Sequence, residues 1–260
     1  MKLVFIGDVF GKPGRIALLK EIDNLKQNYQ PDFIVMNAEN LADGKGLTEK
    51  TARPLFEAGI DAMTGGNHLW DRAESLDYIR KNPRIIKPMN YPSTTPGSFF
   101  HTLVRDGFRL TIINLCGQVY MPACDSPFSA LENRYQDLQS LSDAIVLDFH
   151  AESTAEKRAM GWYADGKISA VLGTHTHIQT ADEEILPGGT AYITDVGMTG
   201  SHDSVIGVKK DLIVEKFRTS IPVRYEASDR GLQINAVCLE IDQGYGRAIS
   251  ISRIKYSTEI

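Results

Sequence analysis

The sequence predicts an α/β fold built on a mainly parallel sheet, and three observations carry that expectation. Near the start of the chain, an apolar run of strand length is followed three times by a polar, glycine-bearing turn and then a helical stretch. The later strands include two hairpin-like pairs with turn residues between them, which adds antiparallel pairing. With 42% hydrophobic and 23% charged residues in 260, the chain can fill the core of one large domain.

The first unit opens with the apolar strand Leu3-Val-Phe-Ile6. It breaks at Gly7-Asp8-Val9-Phe10-Gly11-Lys12-Pro13-Gly14 and resumes as a helix from Ile16 to about Asn28. Ile16, Leu19, Ile22 and Leu25, at i, i+3 spacing, form its expected apolar stripe. The second unit is Asp32 to Met36, ending in Asn37-Ala38-Glu39-Asn40. A loop follows, Asp43-Gly44-Lys45-Gly46, and then a helix that starts not far before Pro54 and stops at Gly59. The third is Asp61 to Thr64, then Gly65-Gly66-Asn67-His68 and a helix from about Trp70 to Arg80.

Ser98–Val104 and Phe108–Asn114 read as a hairpin around Arg105-Asp106-Gly107. Ser126-Pro127 is an N-cap and N1 pair for a helix to about Ser140. Asp143–Phe149 is a buried strand with His150 at its end, and a helix runs from Glu152 to about Tyr163. Ile168–Leu172 is another strand, leading into Gly173-Thr174-His175-Thr176-His177, and Thr190–Thr194 leads into Asp195-Val-Gly-Met-Thr-Gly200. A helix-like segment spans Lys209–Phe217. Gln233–Ile241 and Arg247–Ile254 are expected to pair as a hairpin in a second sheet.

Lys plus Arg number 28 against 33 for Asp plus Glu, a net charge of −5. That balance argues against a broad nucleic-acid surface and leaves a local basic pocket possible. No apolar stretch approaches the roughly 20 residues that span a bilayer. Three cysteines without C-x-x-C spacing fit structural thiols in a reducing compartment, and the expected location is cytoplasmic.

The functional signal lies at the strand ends. Asp8, Glu39-Asn40, Asn67-His68, His150 and His175-x-His177 each directly follow an apolar strand, where open α/β sheets place their sites. In an extended chain His175 and His177 would face one point. Any one of these residues has an ordinary structural use, such as a helix cap or a turn residue. Together they offer carboxylate, amide and imidazole donors, a mixture suited to two first-row transition ions, with Glu39 able to bridge them.

The order Gly-Asp8, Asn-Ala-Glu39-Asn40, Gly-Gly-Asn67-His68, Asp-Phe-His150 and Gly-Thr-His175-Thr-His177 resembles the calcineurin-like metallophosphoesterases, most closely their YmdB-like bacterial subgroup. The resemblance spans nearly the whole chain. It implies a four-layer αββα sandwich with two mixed sheets flanked by helices, and residues 1–260 as a single metallophosphoesterase domain. Two departures stand out: the superfamily opens Asp-x-His, whereas Phe10 stands two residues after Asp8, and its bridging carboxylate is usually Asp rather than Glu39. The subgroup implies that Asn40 takes the place of the lost His. The expected metal sets are Asp8, Glu39, Asn40 and His177 on one ion, and Glu39, Asn67, His150 and His175 on the other. Iron is the implied metal, with manganese as alternative.

Two cations can lower the pKa of a shared water to near neutrality and offset the charge of a phosphate. His68, beside Asn67 and not required as a ligand, is the expected general acid. The expected activity is phosphodiester hydrolysis of a small-molecule cyclic nucleotide, 2′,3′-cyclic and also 3′,5′-cyclic. A phosphomonoesterase, an RNase and a nucleotide sensor with little turnover are the alternatives. Neither a membrane nor an extended nucleic acid is an expected partner, and a homo-oligomer is. Three further segments stay open: Arg72 could approach a phosphate or be a solvated helix residue, residues 197–203 could border the substrate or be a flexible turn, and Asp148 could orient nothing.

Overall fold

A computed structural model describes residues 1–258. The first strands are β1 (Lys2–Ile6), β2 (Asp8–Val9), β3 (Phe33–Asn37), β4 (Ala62–Thr64) and β5 (Ile85–Ile86). The middle of the chain gives β6 (Phe100–Arg105), β7 (Phe108–Cys116), β8 (Ala144–His150), β9 (Ala170–Thr174), β10 (Glu184–Ile185) and β11 (Ala191–Ile193). The last three are β12 (Met198–Ser201), β13 (Leu232–Ile241) and β14 (Ala248–Thr258).

They form two mixed sheets. One runs β2-β12-β13-β1-β3-β4-β5 with β14 on β13, and the other runs β10-β11-β9-β8-β7-β6. The C-terminal hairpin therefore does not belong to a second sheet, as its sequence led us to expect. It joins the first, with β13 antiparallel to β1 in the register Val4↔Cys238. Apolar alternation cannot identify a strand's neighbour, and the second sheet is built from the middle of the chain instead. The hairpin at Asp106-Gly107 is as expected: both residues have positive φ, +51° and +82°, matching the type I′ turn that suits strand twist.

Alternation in β1 shows the layering. Val4 and Ile6 pack with Leu18, Ile22 and Leu25 of α1 (Gly11–Tyr29). Leu3 and Phe5 point the other way, toward Leu110, Val146 and Leu172 of the second sheet. The outer face of that sheet is covered by α4 (Pro127–Leu141) and α5 (Thr154–Ala164) through Leu131, Leu138 and Met160. Of the other helices, α2 (Glu49–Glu57) and α3 (Leu76–Lys81) share the α1 side, and α6 (Lys210–Thr219) comes before the C-terminal hairpin. The result is an αββα sandwich.

Helix α1 begins at Gly11, earlier than its apolar spacing indicated, and its buried stripe is Leu18, Ile22 and Leu25 at i, i+4, i+7. Leu19 faces outward. The third helix is shorter than expected: Gly65 to Arg72 is mostly turn, and one 3₁₀ turn at Ala73–Ser75 precedes α3. Among the described residues, no helix is long and apolar enough to cross a membrane.

Candidate metal centre and active site

Parallel pairing places Cys116, His150 and Thr174 side by side at the ends of β7, β8 and β9. The ends of β1, β3 and β4 meet them across the sandwich. Asp148, fully buried on β8, is the joint. It accepts hydrogen bonds from Thr64 Oγ1 (2.5 Å) and Asn37 Nδ2 (2.9 Å) of the first sheet and from Thr174 Oγ1 (2.6 Å) of the second. Asp148, to which the sequence assigned no role, thus ties both sheets together under the site. A carboxylate inside an apolar strand was the available signal, because such groups are rarely buried without partners.

This joint sets the His150 tautomer. Thr174 gives its one proton to Asp148, so at 2.8 Å it accepts from His150 Nδ1. His150 Nε2 then points into the cluster, 3.0 Å from Glu39 Oε1 and 3.0 Å from His175 Nδ1. His175 Nε2 faces Glu152 Oε2 at 3.1 Å, which puts its proton there and leaves Nδ1 bare. One donor atom from each of Glu39, His150 and His175 lies within 4.8 Å of the other two. Gly66 is required at this point: a Cβ there would overlap Glu39 Oε2 and the His150 ring.

His177 repeats the pattern beside it. Its Nδ1 donates to the Ile206 carbonyl (3.1 Å), so Nε2 presents a lone pair 3.2 Å from Asn40 Oδ1 and 3.9 Å from Asp8 Oδ1. Asn40 is oriented by its Nδ2 donating to Gly44 O (2.9 Å). Asp8 Oδ2 accepts from His175 N (3.1 Å), while Asp8 Oδ1 and Asn67 Oδ1 are buried with no hydrogen-bond partner. Buried acceptors without donors are costly. A cluster of lone pairs and orphaned carboxylate and amide oxygens fits a metal ion.

The electrostatics agree. Burial opposes charge on His150, but Glu39 by charge and hydrogen bond, and Asp8 by charge, push its pKa up to about 9. Burial also opposes ionisation of Glu39, yet His150 pulls it down to about 2. Burial and the neighbouring His150 push His175 down to about 3. Burial raises the Asp8 carboxyl well above its usual range. Without an ion, a proton on His150 Nε2 thus offsets the Glu39 carboxylate, and a bound cation would take that proton's place.

His175 and His177 do not converge through extended chain. Their φ values are +97° and +66°, a left-handed turn that sends one to His150 and the other to Asn40. Thr176 between them anchors the turn: its N and Oγ1 both donate to Asp195 Oδ2, which also takes Lys157 Nζ at 2.7 Å. Neither this buried Lys157–Asp195 pair nor Glu152 was picked out from the sequence. A lysine on a helix carries no local sign that it will be buried.

His68 donates its backbone N–H to Glu39 Oε2 (3.1 Å), and its Nδ1 lies 2.8 Å from Asp71 Oδ2. It lines a cavity of about 530 Å³ together with Glu39, Asn40, His175 and His177. Arg72 is more than a solvated helix residue: it holds the glycine loop by donating to Ala42 O (2.6 Å) and Lys45 O (3.1 Å). Of residues 197–203, Met198–Ser201 form strand β12, buried beside β2 and β13, so that part is not a flexible turn.

A family model described as YmdB-like protein matches residues 4–254. The chain belongs to the YmdB-like family. It is 44% identical over 254 residues to the 2′,3′-cyclic-nucleotide 2′-phosphodiesterase of Bacillus subtilis (strain 168), an alignment covering 98% of this chain and 96% of that one. The crystal structure of a hypothetical protein from Thermus thermophilus superposes with a TM-score of 0.94 at 37% identity, covering 100% of both chains. That of a novel phosphatase from Mycoplasma pneumoniae gives 0.93 at 34%, covering 99% of this chain and 93% of the other. In this YmdB-like chain Phe10, two residues after Asp8, packs edge-on against His177 (ring centroids 5.7 Å apart, planes at 75°). It fills the space between Gly44 and Gly207, where a Cβ at either position would strike its ring.

Proposed function

We propose that the chain hydrolyses 2′,3′-cyclic nucleotides as a two-cation phosphodiesterase. One observation carries this reading: ring nitrogens of His150, His175 and His177 converge on Glu39 Oε1 and Asn40 Oδ1, with the unpartnered Asp8 Oδ1 among them. Asp8, Glu39, Asn40 and His177 would hold one ion, and Glu39, Asn67, His150 and His175 the other. The mixture of nitrogen and oxygen donors suits first-row transition ions; the family resemblance implies iron, with manganese as the alternative. Bound there, such ions supply the Lewis acidity that acidifies an attacking water and offsets phosphate charge.

The chain's own residues supply orientation and a proton. Thr174 and Asp148 aim His150, Glu152 aims His175, and the Ile206 carbonyl aims His177. Asp71 holds His68 by Nδ1, so Nε2 is the atom that delivers a proton to the leaving sugar oxygen as the cyclic ester opens. Support for the substrate class comes from the Bacillus subtilis diesterase, 44% identical over nearly the full chain.

The test is elemental analysis of protein purified without added metal, paired with turnover of 2′,3′- and 3′,5′-cyclic nucleotides. Two transition-metal ions per chain and release of the opened nucleotide are expected. His68→Ala is expected to keep both ions while turnover falls by about 10²–10⁴. Full activity in His68→Ala removes it as the acid. Tight retention of unopened nucleotide in a single turnover would make the protein a sensor instead.

A further inference from the structure

The cavity lining divides into two chemistries. One part is ionic or hydrogen-bonding and includes Glu39, Asn40, His68, His175, His177 and Lys45. The other is an apolar wall of Phe10, Ile206, Val208, Tyr225 and Ala227. A phosphate is bound by charge and hydrogen bonds and gains nothing from such a wall. We propose that this wall seats the nucleobase of the substrate, with Tyr225 as its stacking platform; the inference rests on the diesterase reading above.

Several observations support the assignment. Phe10 and Val208 are buried, whereas Ile206 and Tyr225 leave 50% and 51% of their surfaces uncovered. The wall is therefore backed by packed side chains and bare at the front, beside the catalytic cluster. Tyr225 does not hang loose: Lys216 Nζ bonds its hydroxyl and lies 4.9 Å from its ring centroid. Ile206 is a β-branched residue at φ +47°, a strained conformation that persists where the surroundings demand it. The demand is visible, because its carbonyl accepts from His177 Nδ1. A single residue thus belongs to both the wall and the support of the cluster, which fixes the distance between the two. At about 530 Å³ the cavity has room for a whole nucleotide.

The wall also defines what is not recognised. Its one side-chain hydrogen-bonding group, the Tyr225 hydroxyl, accepts from Lys216 Nζ at the rim of the ring. The other four wall side chains have no hydrogen-bonding group, so the wall meets the face of a base rather than its edge. Stacking accepts every base because each has a π-face. The expected enzyme needs a base and is indifferent to which.

The experiment compares kcat/KM for the four 2′,3′-cyclic nucleotides with that for ribose 2,3-cyclic phosphate, which has no base. In wild-type protein the four should agree within a few-fold and exceed the base-free ester by about tenfold or more. Tyr225→Ala should collapse that ratio toward one, and Tyr225→Phe should preserve it, since the ring and not the hydroxyl stacks. Adenosine should inhibit the wild type competitively and lose potency against Tyr225→Ala, while ribose should inhibit neither. A ratio near one in the wild type, or one unchanged in Tyr225→Ala, overturns the base wall and leaves the diesterase reading intact. Metal-loaded protein that opens none of these esters overturns the diesterase reading, and the base wall with it.

Discussion

The two halves of the candidate metal centre are held in different ways. Glu39, His150 and His175 are braced mostly by side chains: Thr174 and Asp148 stand behind His150, and Glu152 stands behind His175. Their braces sit largely on strands that pair in fixed register. Asn40 and His177 are braced by the carbonyls of Gly44 and Ile206, in loops containing the positive-φ residues Asp43, Gly44, Ile206 and Gly207. The difference teaches that one half inherits the rigidity of two sheets, while the other depends on how well two glycine-bearing loops are clasped.

The sharpest way to break this contrast is Asp148→Ala. It leaves Thr174 Oγ1 without its acceptor in a fully buried place and takes one acceptor each from Thr64 and Asn37. A stability loss of about 3 kcal/mol is expected, from a cost of about 1–3 kcal/mol per orphaned buried group, read by thermal or urea unfolding. Affinity for one ion should fall about 10–100-fold, read by titrating metal into stripped protein, because His150 loses its enforced tautomer. If both ions bind as in the wild type, the strand network does not aim the ligand.

Arg72→Ala tests the other half. It frees the carbonyls of Ala42 and Lys45, next to the Gly44 carbonyl that orients Asn40. A several-fold loss at the other ion is expected, with stability changed by about 1 kcal/mol or less since the site is partly solvated. Loss of the ion in the strand-braced half would reverse the comparison.

Acid titration probes the segment that follows His177, and the effect is the smallest. Asp182 accepts from Thr194 N (3.1 Å) and from the Thr194 hydroxyl. Burial alone would raise its pKa, but hydrogen bonds from Thr180 and Thr194 carry it below the usual value. A depressed folded-state pKa means that the carboxylate stabilises the fold above its unfolded pKa, and that this contribution is lost as pH falls through the folded value. Asp182→Asn should therefore lower the melting temperature slightly at neutral pH, and its deficit should shrink at the acid end. A deficit that stays constant with pH would rule this ionisation out.

How far the site could be read from the chain follows the same division. Asp8, Glu39, Asn67 and His150 each come directly after an apolar run, and the location was legible because such strands must end somewhere near the sheet rim. The roles of Asp148, Glu152, Lys157 and Asp195 were not, since each acts on a partner distant along the chain. His175 and His177 were legible as a pair and misread in geometry, because extended spacing does not reveal two left-handed residues. The loop-holding role of Arg72 was not legible, because only a folded loop offers it carbonyls.

By itself the sequence determined the αβ units, the hairpin turn at Asp106-Gly107 and the polar residues at the strand ends. Each of these depends on neighbours a few residues away, through apolar periodicity and backbone preference. The tertiary structure alone decided that the C-terminal hairpin joins β1, that Asp148 locks two sheets together, and which nitrogen of each histidine faces the cluster. Those outcomes depend on which buried donor meets which acceptor across the sandwich, and local pattern carries no record of that meeting.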